Sequence, residues 1–106
     1  MSDEDPAPIV RAVVVDCHIE DVFAYLADPT RDHAWCDAPR ALLAREPPAW
    51  IAWREDDVEV TCELEPVWTS TRVTHREAAR GGPWRRRSRR RAVARRLRTL
   101  KNALER

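Results

Sequence analysis

The chain has 106 residues, 43% apolar and 35% charged, a mixture that folds as one domain and by size excludes a second. Its net charge of +1 conceals a division: residues 82–106 carry eleven basic side chains against Glu105 alone, and the remainder is correspondingly acidic. No run approaches the roughly 18 apolar residues of a membrane span, and the acidic start MSDEDPAPIV is unlike a secretory signal, so a cytoplasmic protein is expected.

Residues 1–8 read as a disordered acidic lead, with one domain over 9–106. IVRAVVV, Ile9 to Val15, is β-branched and predicts a strand. Ile19, Val22, Phe23 and Leu26 then recur at helical spacing, with Glu20 and Asp21 placed to favour the helix dipole. Pro29 stops that helix and opens a second short one that delivers Trp35. RALLARE and AWIAWRE are two strands divided by Pro47-Pro48, a pair that cannot donate ladder hydrogen bonds.

In DVEVTCELE, Val58, Val60, Cys62 and Leu64 alternate with acids and Thr61, the pattern of an antiparallel strand with one wet face. TRVTHRE follows, with Thr71, Val73 and His75 on one face and Arg72 and Arg76 on the other, where they can pair with the glutamates. Gly81-Gly82 marks a hinge. From Pro83 a helix is expected whose Val93, Leu97, Leu100 and Leu104 form a narrow apolar stripe. Continued backward, the stripe meets Arg90, Arg89 and Arg86, so the first half of the helix has no apolar face.

The chemistry in these elements is sparse. His75, inward on its strand, is a candidate general acid or base, since its reference pKa near 6.5 suits proton transfer; the alternative is a structural histidine bonded within the sheet. Cys17, Cys36 and Cys62 are odd in number and lack CxxC spacing, which predicts reduced thiols; His33-x-x-Cys36 has ligand-like spacing, but the side chains of adjacent Cys17-His18 diverge and make poor partners for it, so neither a metal nor another cofactor is expected. No P-loop, GxSxG, HExxH or dinucleotide fingerprint occurs. The arginine run could contact phosphates, but it lacks aromatic interleaving beyond Trp84 and the acidic remainder would repel a polyanion, so nucleic acid is disfavoured. The stripe is likewise too narrow for a membrane-surface helix.

Taken in order, VVVDCHIEDVFAYLADPTRDHAW, PPAWIAW, VEVTCELEPVWTSTRVT and RLRTLKNALE resemble the START-like, or Bet v 1-like, superfamily, in particular its polyketide cyclase/dehydrase and lipid-transport branch. Val22, Phe23, Leu26, Asp28, Pro29 and Trp35 match the opening pattern, and Leu97, Leu100, Lys101, Leu104 and Glu105 the closing one. The resemblance implies an α+β helix-grip fold: a curved antiparallel sheet of about five strands wrapped on the C-terminal helix, with two short helices after the first strand. It also implies a pocket for a hydrophobic small molecule between sheet and helix, for which this sequence offers His75 as the catalytic candidate and Trp53, Val58, Val60, Cys62, Val73, Trp84 and Leu97 as the candidate lining. Only eleven residues separate Trp35 from Pro47, where the family usually carries two more strands. The pocket is therefore expected to be smaller, more open, or completed by a second copy of the chain as a homodimer. The implied activity is cyclisation or dehydration of a polyketide-like substrate in secondary metabolism; the alternatives are a non-catalytic carrier and an interaction protein that uses its basic helix.

Overall fold

A computed structural model describes residues 7–36, 38–78 and 81–106. The expected acidic lead over 1–8 therefore lies mostly outside the described residues.

Five strands, β1 (Ile9–Val15), β2 (Ala41–Glu46), β3 (Trp50–Glu55), β4 (Val58–Val67) and β5 (Ser70–Glu77), form one antiparallel sheet in the order β1-β5-β4-β3-β2. Between β1 and β2 come α1 (Ile19–Ala27) and the 3-10 helix η1 (Pro29–Ala34), and α2 (Pro83–Leu104) closes the chain. α1 buries Val22, Phe23 and Leu26, the residues whose spacing predicts it. Asp28 then ends α1 and caps η1, its Oδ1 accepting from the Thr30 amide at 3.0 Å with Pro29 at the first position.

Period-two alternation decides which face each strand residue takes. Ile51 and Trp53 on β3, Val60, Cys62 and Leu64 on β4, and Thr71 and Val73 on β5 turn inward, each 7% exposed or less. The outer face carries the expected cross-strand pairs: Arg54 opposite Glu59 and Arg72 opposite Glu65, both at 2.6 Å, and Arg76 diagonal to Glu63 at 3.0 Å. Exposed as they are, such pairs fix register more than they add stability.

The β3–β4 and β4–β5 hairpins have two-residue loops, Asp56-Asp57 and Trp68-Thr69, and Asp56 and Trp68 take positive φ of 54° and 58°. Gly81, at φ 77°, reverses the chain before α2; a Cβ there would meet the Arg85 side chain at 2.6 Å.

α2 lies across the sheet with Val93, Leu97 and Leu100 buried. Its last turn is clamped to the end of β1: Lys101 Nζ donates to the Val14 carbonyl at 2.7 Å, Glu105 accepts from the Asp16 amide at 2.8 Å, and Cys17 Sγ donates to the Leu104 carbonyl at 3.2 Å. The first half of α2 has no apolar face, and the sheet answers it with glutamates instead.

Candidate functional site

The inward series of β5 runs on past His75 to Glu77, and that of β3 past Trp53 to Glu55, so two carboxylates end up beneath the basic half of α2. Arg89 and Arg96, seven residues apart and on the same side of α2 as Val93, turn down to meet them. Arg89 Nε donates to Glu77 Oε2 at 2.7 Å and its Nη2 to Glu77 Oε1 at 2.9 Å, a bidentate clamp. Arg96 Nη1 donates to Glu55 Oε1, which also accepts from Trp53 Nε1 at 2.7 Å. His75 Nε2 stands 2.6 Å from Glu77 Oε1. Each of these groups except Arg89 has a side chain no more than 4% exposed, and a charge that deep persists only when paired.

Both carboxyls are held below the ordinary carboxylate range. Burial alone pushes them up; for Glu55 it is outweighed by the hydrogen bonds from Arg96 and Trp53 and the charges of Arg96 and Arg89, and for Glu77 by those of His75 and Arg89. They are anions at neutral pH, and Nε2 of His75 is the proton donor to one of them.

Above this network a cleft of about 330 Å³ opens between the β3–β4 turn (Glu55 to Val58), the end of β5 (Glu77 and Ala78) and the first turns of α2 (Arg85 and Arg89). Glu77 belongs to its wall; His75 stands behind Glu77, 1% exposed.

A second buried cation adjoins the network. The Arg40 guanidinium lies 4.7 Å from the Trp35 ring centroid and 4.8 Å from that of Trp53, and its Nη2 donates to Asp32 at 2.5 Å and to the Leu26 carbonyl at 2.7 Å. Trp35 and His75 each meet the Trp53 ring edge-on, at 5.9 and 6.2 Å. A row of contacting groups, Arg40, Trp53, His75 and Glu77, thus runs to the cleft.

Of the residues expected to line a pocket, Val58 lies on the cleft. Trp53, Val60, Cys62, Val73 and Leu97 are 0 to 3% exposed and belong to one core cluster. Trp84 is 88% exposed, because it points from α2 on the side opposite Val93 and Leu100. Glu55, Glu77, Arg89, Arg96 and Arg40 are functional candidates that periodicity of apolar residues passes over. The signal for the two glutamates is strand parity, which continues inward through Glu55 and Glu77. Among the described residues no group of three or more His, Cys, Asp or Glu side chains could hold a metal ion, and no helix is long and apolar enough to cross a membrane.

No family model and no curated protein matches the chain. Solved structures do. It is similar to protein BH1534 of Bacillus halodurans, with a TM-score of 0.82 at 14% identity over 95% of this chain and 99% of that one. The Aha1 dimer from Colwellia psychrerythraea gives 0.78 at 15% identity over 94% and 97%. DynU16, a protein of the dynemicin biosynthetic locus, gives 0.80 at 14% identity over 94% of this chain and 48% of its own. The fold is a helix grip. In this helix grip the charged network and its cleft lie where the basic half of α2 crosses the ends of β3 and β5, and the opposite end is closed by the Lys101–Glu105 clamp on β1.

Proposed function

We propose that the protein is a small helix-grip ligand-binding protein of secondary metabolism that holds a polyoxygenated, polyketide-like molecule in the cleft beside Glu77 and acts on it as a cyclase or dehydrase. The observation that carries this reading is the ionised Glu77 carboxylate in the cleft wall, tied to His75 behind it and to Arg89 beside it. A molecule with alternating carbonyl and enol groups offers O–H donors to the carboxylates and carbonyl acceptors to Arg85 and Arg89. A purely hydrocarbon ligand would desolvate those same groups without replacing their partners.

The chemistry this arrangement suits is proton abstraction next to a carbonyl. Glu77 takes a proton from an acidic C–H, the bonding pair passes to the carbonyl oxygen, and Arg89 stabilises the enolate. The enolate carbon closes on a second carbonyl and the proton returns from Glu77 to the new alkoxide; in a dehydrase-type reaction Glu77 then takes a second proton from the same carbon, a C=C bond forms, and the hydroxyl departs with that proton as water. His75 acts through Glu77 as a positioning residue. The likeness to a protein of a dynemicin biosynthetic locus supports a place in secondary metabolism. A homodimer is part of the proposal, because β2 is an open sheet edge exposed along all six residues and the similar Colwellia protein is a dimer.

A second reading, a non-catalytic carrier, is favoured by the lowered pKa of Glu77, which makes it a weak base. Both readings meet one experiment: the protein is mixed with a linear aromatic polyketone, tryptophan fluorescence is followed, and products are separated. Product formation that falls by roughly 10²-fold or more in Glu77→Gln supports catalysis. Binding without product leaves the carrier, and no binding sinks both.

A further inference from the structure

We propose that the outward face of α2 binds single-stranded nucleic acid, with Arg87, Arg91, Arg95 and Arg98 on the phosphates and Trp84 stacked on a base. At about 100° per residue these five positions fall within about 80° of arc, opposite the buried stripe of Val93 and Leu100. All five are exposed, and Trp84, at 88%, has its ring in solvent. They run from Trp84 to Arg98 of a 22-residue helix, about 21 Å at 1.5 Å per residue.

The arginines divide by partner as well as by direction. Arg89 and Arg96 are committed to Glu77 and Glu55. The four outer arginines have no carboxylate partner among the described residues. Part of the acidic charge that in the sequence argues against a polyanion is matched locally: Glu59, Glu63 and Glu65 pair with arginines of the sheet, Asp32 with Arg40, and Glu105 with Lys101. The positive charge of this face is therefore left for an external partner.

Single strands fit better than the alternatives. An unpacked tryptophan in line with a row of cations is the combination that binds bases by stacking and backbones by charge. A membrane surface requires an apolar face beside the basic one, and here Trp84 is the one apolar side chain on the stripe.

The test is fluorescence anisotropy of labelled oligothymidylate titrated with the full chain between about 50 and 200 mM salt. Four phosphate contacts predict a slope of log affinity on log salt near −3, from about −0.7 per contact on single strands. Replacing Arg91, Arg95 and Arg98 together by Gln should flatten the slope to about one quarter of that value and abolish most binding at the higher salt. Trp84→Ala should weaken binding roughly 5- to 150-fold, and Arg54→Gln, on the sheet's outer face, should leave it unchanged. Circular dichroism checks that each variant folds. The proposal is overturned by absence of binding at the lowest salt, by binding that survives the triple replacement, or by affinity indifferent to Trp84→Ala. Capture by phosphatidylserine vesicles without oligonucleotide binding would assign the face to membranes and overturn it equally.

Discussion

Arg96, in the middle of α2, donates to Glu55, the last residue of β3, and both side chains are 4% exposed. Removing Arg96 leaves the buried Glu55 carboxylate with the more distant Arg89, at 3.6 Å, in place of its main cation, whereas removing both members leaves no such charge. Arg96→Leu should therefore lower stability by about 3–5 kcal/mol. The double replacement Arg96→Leu with Glu55→Leu should lose distinctly less than the sum of the two single changes. Urea unfolding followed by circular dichroism measures both, and strict additivity would refute the coupling.

Acid should loosen the helix from the sheet. Glu55 and Glu77 have folded pKa values below those of the unfolded chain, so their contribution is complete above about pH 4.3 and is lost as pH falls through the folded values. The unfolding midpoint in urea should fall from about pH 4 downward, and the fall should be shallower in Glu77→Gln. A midpoint that rises on acidification over that range would contradict the linkage.

Trp68 occupies a left-handed backbone position and is 99% exposed. A bulky residue at positive φ is strained, and its exposed ring recovers nothing by packing. Trp68→Gly should raise the thermal midpoint, since relief of such strain is worth about 1 kcal/mol and a domain of this size moves about 4–8 °C per kcal/mol. Calorimetry decides it, with a lowered midpoint as the adverse result.

The three thiols should differ in reactivity. Burial pushes Cys62 up to about 12 and Cys36 likewise to about 12, and Cys62 is 1% exposed; Cys17 is raised too, first by burial and then by Glu105. Alkylation of the native protein at mildly alkaline pH should label Cys17 first and spare Cys62 until denaturant is added. Peptide mass spectrometry reads the order, and early labelling of Cys62 would show that the core opens more readily than its packing implies.

Strand and helix positions were legible in the sequence because they follow from period alone. The alternation through Val58, Val60, Cys62 and Leu64, and the stripe Val93, Leu97, Leu100 and Leu104, each place a core face without reference to any other part of the chain. The arginines of α2 were harder to read. By apolar spacing the stripe loses its face before Val93, whereas Arg89 and Arg96 extend the inward face by pairing with two glutamates 12 and 41 residues away. Such a face is visible only when the parity of β3 and β5 is carried to their last residues and the helix is laid across them. Alternation alone puts His75 on the inner face, whereas its place behind Glu77 depends on the side-chain bond between them. Trp84 belongs to the same α2 sequence as the core residues and yet faces away from them, a matter of helical phase.

In the proposed function the ligand sits in the cleft beside Glu77. Backbone amide shifts of the labelled protein, recorded while a linear aromatic polyketone is titrated in, test it directly. The predicted result is that the largest shifts fall on Asp56, Val58, Glu77 and Ala78, and vanish in a folded Glu77→Gln variant. Shifts confined to other surfaces, or retained in full by that variant, would contradict it.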